Sequence, residues 1–442
     1  MTIALFASDQ VPLPQIADEL KREGVAVTSF ILHGELDGRR IDDSIKKGVL
    51  ISPDRGVVDV GEQTERVREI IGQKRRLILC APQPNAADRL TLIECGASEI
   101  IEPQSWAAGH IAARIFSQII LDADIQPAGL GALRGATRLM RNLYDHIQKM
   151  APFSEPLLIL GETGTGKELV AREIHNSSKR SDIYIPVNCP EISLELLSSE
   201  LFGHRKGAFT GADKDRVGLI AAAGKGTVFL DEIGDLDLQA QAKLLRVLED
   251  RKVRRVGANN LEDVEARIIL ATNRNLEIAC EEGRFRRDLF ERIRGLTLNL
   301  PPLRERKADI PLLVHHFIEK YNYEQNSNME VPPEAIDCLF RYEWPGNVRE
   351  LRAVIIKASM YADASGYINS IIVQESVRGR ETKAARNSIP FDPAADTWRD
   401  VVSRAQSVYF RSLLAHTNGN KEAAVKLSGL SRSQFFEKIK EI

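Results

Sequence analysis

Apolar and polar positions divide the chain into stretches with different rhythms. Over residues 1–120, apolar runs at Thr2–Ala7, Val25–Leu32, Gly48–Ser52, Leu77–Ala81 and Glu99–Ile101 alternate with helical patterns such as Gln15–Glu23, Gly61–Ile71 and Ala86–Cys95. Strands alternating with helices predict a doubly wound parallel sheet, and five strands suit a flavodoxin-like α/β domain over residues 1–125. The stretch Asp122–Gly135, with three glycines and a proline, reads as a linker. A second α/β pattern follows to about Gly295, with buried strands expected at Leu157–Leu160, Thr227–Leu230 and Arg267–Ala271. From Pro301 to Ser376 the period turns helical, as in a lid. Val377–Thr397 has little periodicity and two prolines and reads as a basic linker. Residues 398–442 read as three short helices: Arg399–Ala415, Lys421–Leu427, and one after a Ser428-Gly429-Leu430 turn.

The strongest chemical signal is the apolar strand Leu157–Leu160 running into Gly161-Glu162-Thr163-Gly164-Thr165-Gly166-Lys167-Glu168 and then a helical pattern. This is the context of a P-loop, whose glycines let backbone N–H groups close around phosphate while the lysine reaches the β- and γ-phosphates. Glu168 stands where a magnesium-ligating Ser or Thr is usual, so the metal must rely on other groups. Thr227-Val228-Phe229-Leu230-Asp231-Glu232 is a second apolar strand, ending in two carboxylates. Asp231 is expected to hold Mg2+ and Glu232 to activate water as a general base. A core strand with two solvated acids is the plain alternative, and the preceding P-loop decides against it. A third strand, Ile268–Thr272, leads into Asn273, placed to meet the γ-phosphate or the attacking water.

Glycines at 203, 207 and 211 disfavour helix and leave Phe209 and Thr210 to project from a loop. Gly207-Ala208-Phe209-Thr210-Gly211-Ala212 resembles the GAFTGA signature loop of the AAA+ activators of sigma-54 RNA polymerase, the bacterial enhancer-binding proteins. The resemblance runs over about residues 133–365, through GETGTGKE, FLDEIGDL (229–236), LQAQAKLLRVLED (238–250), ATNRNLE (271–277), FRRDLFERI (285–293), PPLRERKADIPLL (301–313) and WPGNVREL (344–351). In that family a glutamate after the P-loop lysine is usual. Arg205 departs from a frequent glutamate before Lys206-Gly207.

The resemblance implies an AAA+ core and helical lid over residues 133–376, with ATP and Mg2+. It implies dimers assembling into a hexameric ring with ATP sites between subunits. It also implies a loop, residues 207–212, that contacts sigma-54 and drives the closed promoter complex toward the open one. By motif position, Asn188 matches the asparagine that pairs with the catalytic glutamate, and Asn273 the first sensor. Arg286 and Arg292 match fingers reaching a neighbouring subunit's nucleotide, and Arg349 the second sensor. The nucleotide-binding set carried over includes residues 161–168 together with Ala223, Gly224, Lys225, Gly226, Thr227, Val228, Phe229 and Leu230.

The C-terminal helices have helix-turn-helix spacing, with Ser431-x-x-Gln434 as a capping box for the last one. Arg432, Ser433 and Gln434 suit base edges, and Lys438 and Lys440 suit phosphates. This end resembles the Fis-like DNA-binding domain of the same family. Val401, Ala405, Val408, Tyr409 and Leu413 are candidates for its core or a dimer seam. The N-terminal region resembles a response-regulator receiver without its chemistry. Ala7-Ser8-Asp9 stands where an acidic pair is needed, strand three ends Ser52-Pro53-Asp54, and Glu102 replaces the lysine before Pro103. Asp54 fits an ordinary turn aspartate, so the domain is expected not to be switched by phosphorylation. Arg134 and Arg138 lie where some relatives bind a cyclic dinucleotide, too little to assign one.

Composition trims this picture. Sixty Lys+Arg against 62 Asp+Glu leave a net charge of −2, but residues 398–442 hold eight basic and four acidic side chains, a +4 end that suits nucleic acid. Five cysteines, none as CxxC, argue against a disulfide framework or zinc site. With no basic-led apolar N-terminus and no apolar run of about 18 residues, a cytoplasmic location without membrane contact is expected. Two further readings share the ATPase motifs. One is a DNA-binding regulator whose AAA+ module is a ligand-gated oligomeriser without sigma-54 remodelling. The intact loop, both acids and both arginines count against it. The other is a protease-associated unfoldase, which leaves the C-terminal helices unused.

Overall fold

The computed structural model describes residues 2–7, 11–32, 45–53, 57–72, 75–82, 86–101, 107–121, 129–178, 180, 182–192, 194–208, 212–362, 366, 368, 372–373, 375, 406, 409–410, 425, 427–428, 432 and 435. They fall into two compact units, Met1–Gln374 and Glu375–Ile442.

The first unit opens with β1 (Thr2–Ala7), α1 (Leu13–Arg22), β2 (Ala26–Ile31), β3 (Ile45–Ile51), α2 (Val57–Ile71), β4 (Arg76–Cys80), α3 (Ala86–Glu94), β5 (Glu99–Ile101) and α4 (Ala108–Leu121). The strands pair in parallel in the order β2-β1-β3-β4-β5, the flavodoxin-like arrangement expected. Side chains alternate across the sheet as a period of two requires. Ile3, Leu5, Val49 and Ile51 pack with Ile16, Leu20, Ile115 and Phe116 of α1 and α4. Ala4, Phe6 and Leu50 pack on the other face with Val60 and Val67 of α2 and Leu92 of α3. Asp9, Asp54 and Glu102 lie outside the described residues.

The stretch read as a linker is structured at its end. Gly129–Leu130 (β6) and Leu133–Arg134 (β7) form an antiparallel hairpin. Next come α5 (Arg138–Met150), β8 (Leu157–Leu160), α6 (Lys167–Asn176), β9 (Tyr184–Asn188), α7 (Leu194–Phe202), β10 (Gly203–His204), β11 (Arg216–Val217), α8 (Leu219–Ala222), β12 (Thr227–Asp231), α9 (Leu238–Asp250), β13 (Lys252–Arg254), β14 (Leu261–Asp263), β15 (Arg267–Thr272), α10 (Leu276–Glu281), α11 (Arg287–Ile293) and β16 (Thr297–Asn299). A second five-stranded parallel sheet has the order β16-β8-β15-β12-β9. Leu158, Val228, Leu230 and Ile268 face one core, and Leu157, Ile159, Phe229 and Ile269 the other. The helical region is α12 (Ile310–Gln325), α13 (Pro333–Phe340) and α14 (Asn347–Met360), entered through a 3-10 segment, Leu303–Asp309.

Two buried groups tie the first unit together. Asp309 accepts from the backbone N–H groups of Ala136 (2.7 Å) and Thr137 (3.0 Å) and from the Thr137 hydroxyl (2.8 Å), pinning the start of α5 to the lid. Arg114 of α4 donates to Asp337 of α13 at 2.7 Å with the side chains only 3% and 5% exposed, and its guanidinium lies over the Phe340 ring.

In the second unit, Phe410 and Phe435 are buried edge to face with centroids 5.4 Å apart. Tyr409, expected in the core or a seam, is exposed instead, and its neighbour Phe410 takes the core position. Ser428, read as part of a turn, is still helical and returns its hydroxyl to Val425 O. The linker 377–397 lies outside the described residues.

Candidate active site

The carboxyl ends of β8, β12, β15 and β9 converge on one cleft, as open parallel sheets direct. After β8 the chain turns through residues 161–166, and Gly164 and Gly166 adopt positive φ of 81° and 108°. Gly166 caps α6, so the loop meets the anion-favouring end of that helix. Lys167 is 6% exposed and donates to Gly161 O at 3.1 Å and to Glu232 Oε1 at 3.0 Å. The other Glu232 oxygen accepts from the Asn273 backbone N–H at 3.0 Å, and the Asn273 amide donates to the Thr163 hydroxyl at 2.8 Å. Glu232 sits at φ 56°, a left-handed conformation costly for a residue with a Cβ and commonest where function demands it.

Asp231 precedes it on β12. Burial holds its carboxyl above the usual aspartate range, the Glu232 carboxylate pushes the same way, and Lys167 opposes both. Two adjacent, partly desolvated carboxylates beside a phosphate-binding loop fit a divalent cation. Among the described residues no cluster of three or more His, Cys, Asp or Glu gathers to hold a metal. The rest of a magnesium shell would therefore come from water and phosphate oxygens, which is the usual way Mg2+ is held.

The lid closes on the loop directly. Asn347, at φ 52°, donates to Glu162 and to Thr163 O (both 3.1 Å) and accepts from Leu303 N at 2.7 Å. Arg304 grips Glu162 with two bonds of 2.8 and 2.6 Å, which is the main reason the Glu162 carboxyl lies below its ordinary range. A Cβ on Gly164 would collide with the Gly346 carbonyl, so only glycine allows this approach. The cleft holds about 730 Å³ and is bordered by Asn188, Asp231, Glu232, Asn273 and Arg349.

Other predicted residues lie elsewhere. Arg286 pairs with Asp288 through bonds of 3.0 and 2.6 Å, and Arg292 donates to Leu248 O at 3.0 Å. Neither borders the chain's own cleft. At the glycine-rich loop, Gly207 N donates to Ala212 O at 2.8 Å and closes the base. Arg205 and the Lys206 N–H hold Asp215 from the far side (2.9 and 2.7 Å). Arg205 N bonds Val256 O and Val256 N bonds Gly203 O, which ties this loop to the connection between β13 and β14. Gly207 is exposed, Ala208 partly so, and Ala212 is buried; Phe209, Thr210 and Gly211 lie outside the described residues.

Comparison with known proteins agrees with this geometry. Residues 133–299 match the Sigma-54 interaction domain and residues 304–389 the AAA+ ATPase lid domain. The chain is 39% identical over 307 residues to the transcriptional regulatory protein ZraR of Salmonella typhi, covering 69% of this chain and 67% of that one. The chain belongs to the sigma-54-dependent AAA+ transcriptional activators. A Nif-specific regulatory protein of Azospirillum lipoferum is 49% identical over 221 residues, half of this chain and 35% of that protein. A crystal structure of NtrX from Brucella abortus in complex with ATP is similar over 100% of this chain and 99% of that one, with a TM-score of 0.52 and 25% identity. As a sigma-54 activator the chain is a nucleotide-binding ATPase that drives sigma-54-dependent transcription. The oligomeriser reading is not favoured.

Set beside the family's pattern, two expectations for this sigma-54 activator need correction. Ala223–Leu230 do not border the cleft. They form the turn before β12 and its buried interior, and a parallel strand brings only its carboxyl end to the crevice, here Asp231 and Glu232. Asn188 borders the cleft but donates to Glu191 at 2.7 Å, while Glu232 is held by Lys167 and Asn273. Sequence reading missed Arg304 and Asn347, the lid's grip on Glu162. Both stand inside motifs quoted above, but only the fold shows that they reach the P-loop. In the second unit Arg432 is exposed and helical, and Ser433, Gln434, Lys438 and Lys440 lie outside the described residues. Among the described residues no helix is long and apolar enough to cross a membrane.

Proposed function

We propose that Glu232 is the general base of ATP hydrolysis, released for that role when nucleotide displaces Lys167 from it. The Lys167–Glu232 ion pair carries this reading. A lysine cannot serve the phosphates and neutralise the base at once. Phosphate, with more charge than one carboxylate, would draw Lys167 away and leave Glu232 oriented by the Asn273 N–H beside the incoming water. Asp231 would hold Mg2+, which supplies neutralisation of the phosphate charge when bound. Arg349 is placed to sense the nucleotide from the lid. Arg286 and Arg292, away from their own cleft, are assigned to a neighbouring subunit's nucleotide, in a hexamer assembled from dimers. Residues 207–212 are the contact to sigma-54 and residues 398–442 the DNA-binding module, with Arg432, Ser433, Gln434, Lys438 and Lys440 toward DNA. The domain over 1–125 regulates assembly without phosphorylation, and the chain works in the cytoplasm.

The test is ATP turnover against protein concentration, with Arg292→Ala alongside. Turnover per chain should rise steeply with concentration and fall about 10³-fold or more in the variant, as loss of a finger supplied in trans predicts. A concentration-independent rate would sink the ring assignment. Thr210→Ala should hydrolyse ATP normally and fail to open promoters in transcription assays; normal activation by that variant would remove the loop assignment.

A further inference from the structure

We propose that the cavity between the N-terminal domain and the entry to the lid binds a small zwitterion of the α-amino-acid class with an aliphatic side chain. The cavity holds about 480 Å³ and is bordered by α1, α4, Thr137 and the segment 304–308. That volume lies within the range of small-molecule sites.

Its wall has three chemistries at three places. Leu20, Ala112, Ala113 and Phe116 make an apolar side. Glu19 and Glu23 of the α1 end bring carboxylates, and Arg304 and Arg306 bring guanidinium groups from the opposite domain. Arg306 is only 4% exposed, and its Nε is a buried donor without a hydrogen-bond partner among the described residues. Such a donor is costly to leave unmet, and an occupant that draws Arg306 toward the cavity would supply its acceptor. Glu23 already accepts from the Arg138 N–H at 2.6 Å and lies 3.6 Å from Arg141, and Lys307 and Glu343 at the rim pair with each other at 2.6 Å. A purely anionic ligand would meet the carboxylates of α1 and a purely cationic one the arginines. A molecule with an ammonium, a carboxylate and an aliphatic arm satisfies all three sides.

The same arginines give the site a route to the ATPase. Arg304 grips Glu162 of the P-loop, and Arg306 donates to Thr165 O at 3.4 Å and borders both cavities. An occupant that draws on them competes with the P-loop for the same donors, so occupancy and nucleotide handling are coupled.

Calorimetric titration of the full chain with L-leucine, 4-methylpentanoate and 3-methylbutylamine tests this. Leucine should bind with a Kd of about 1 mM or tighter, and each analogue, lacking one charge, about tenfold or more weaker. Ala113→Leu should fill the cavity and abolish leucine binding while ATP still binds. Glu23→Gln removes the ammonium partner without adding bulk, should weaken leucine about tenfold, and serves if the first variant does not fold. Leucine should also shift the ATP concentration for half-maximal turnover in the parent chain. No binding of leucine to the folded chain would overturn the proposal. So would equal binding of either analogue, or unchanged affinity in both variants.

Discussion

The molecule contains two five-stranded parallel sheets built by the same rule, and among the described residues only one of them gathers charged side chains at its carboxyl strand ends. Both bury alternate side chains on two faces and, being parallel, bring their carboxyl strand ends to one edge. In the ATPase sheet those ends deliver Gly161, Asp231, Glu232, Asn188 and Asn273. In the N-terminal sheet, the described ends are Ala7, Ser52-Pro53 and Ala81. Architecture therefore supplies a place for a site in each domain, and a handful of residues just beyond the strands decides whether one exists.

The largest effect that separates the sheets comes from Glu232→Gln. It keeps the shape of the site and removes the base, so turnover should fall about 10²–10⁴-fold while ATP still binds. A smaller loss would mean another group activates water. Next is the link between the domains. Arg114→Ala removes a buried charged partner of Asp337 and should cost about 3–5 kcal/mol in chemical denaturation. The paired change Arg114→Met with Asp337→Leu should cost far less, because no charge is left buried. Equal losses in both would show that packing at Phe340, rather than charge, holds the contact.

A subtler effect concerns Asp231. Its folded carboxyl titrates above the ordinary value because of burial, so its contribution to stability is fully present below the unfolded pKa and is lost as pH rises through the folded value. At neutral pH Asp231→Asn should thus melt slightly higher than the parent without nucleotide, although it no longer hydrolyses ATP. The gain should shrink on acidification; a lower melting point at pH 7 would contradict it. The smallest effect is expected from the N-terminal sheet. Acetyl phosphate with Mg2+ should leave turnover and assembly unchanged, as read by ATPase assay and sedimentation, and a clear shift would overturn the expectation that this domain is not switched by phosphorylation.

Much of this was legible in the sequence. Long apolar runs such as Leu157–Leu160 and Arg267–Ala271 announce buried parallel strands, and glycine spacing marks the P-loop. The short strands Tyr184–Asn188 and Thr297–Asn299 carry a proline or too few apolar residues to stand out, and only pairing with their neighbours makes them strands. The helix Ala108–Leu121 escaped a clear reading because its apolar face is broad, covering both its own sheet and the lid. Asp231 and Glu232 were recognisable because both sit on one strand end. Arg304 was not, because its partner Glu162 is 142 residues away.

The helix α5 now bears a consequence of its own. At its beginning, the Arg138 N–H and Arg141 bond Glu23 of the N-terminal domain. At its end, the buried Arg267 of β15 donates to the carbonyls of Met150 (2.9 Å) and Ala151 (2.7 Å). A rod fastened at both ends has a fixed phase. Inserting or deleting one residue between the anchors would turn one end about 100° against the other, at 3.6 residues per turn. The spacing between these anchors is therefore set by angle as much as by length, and evolution can lengthen the rod without breaking both grips only in steps close to whole helical turns.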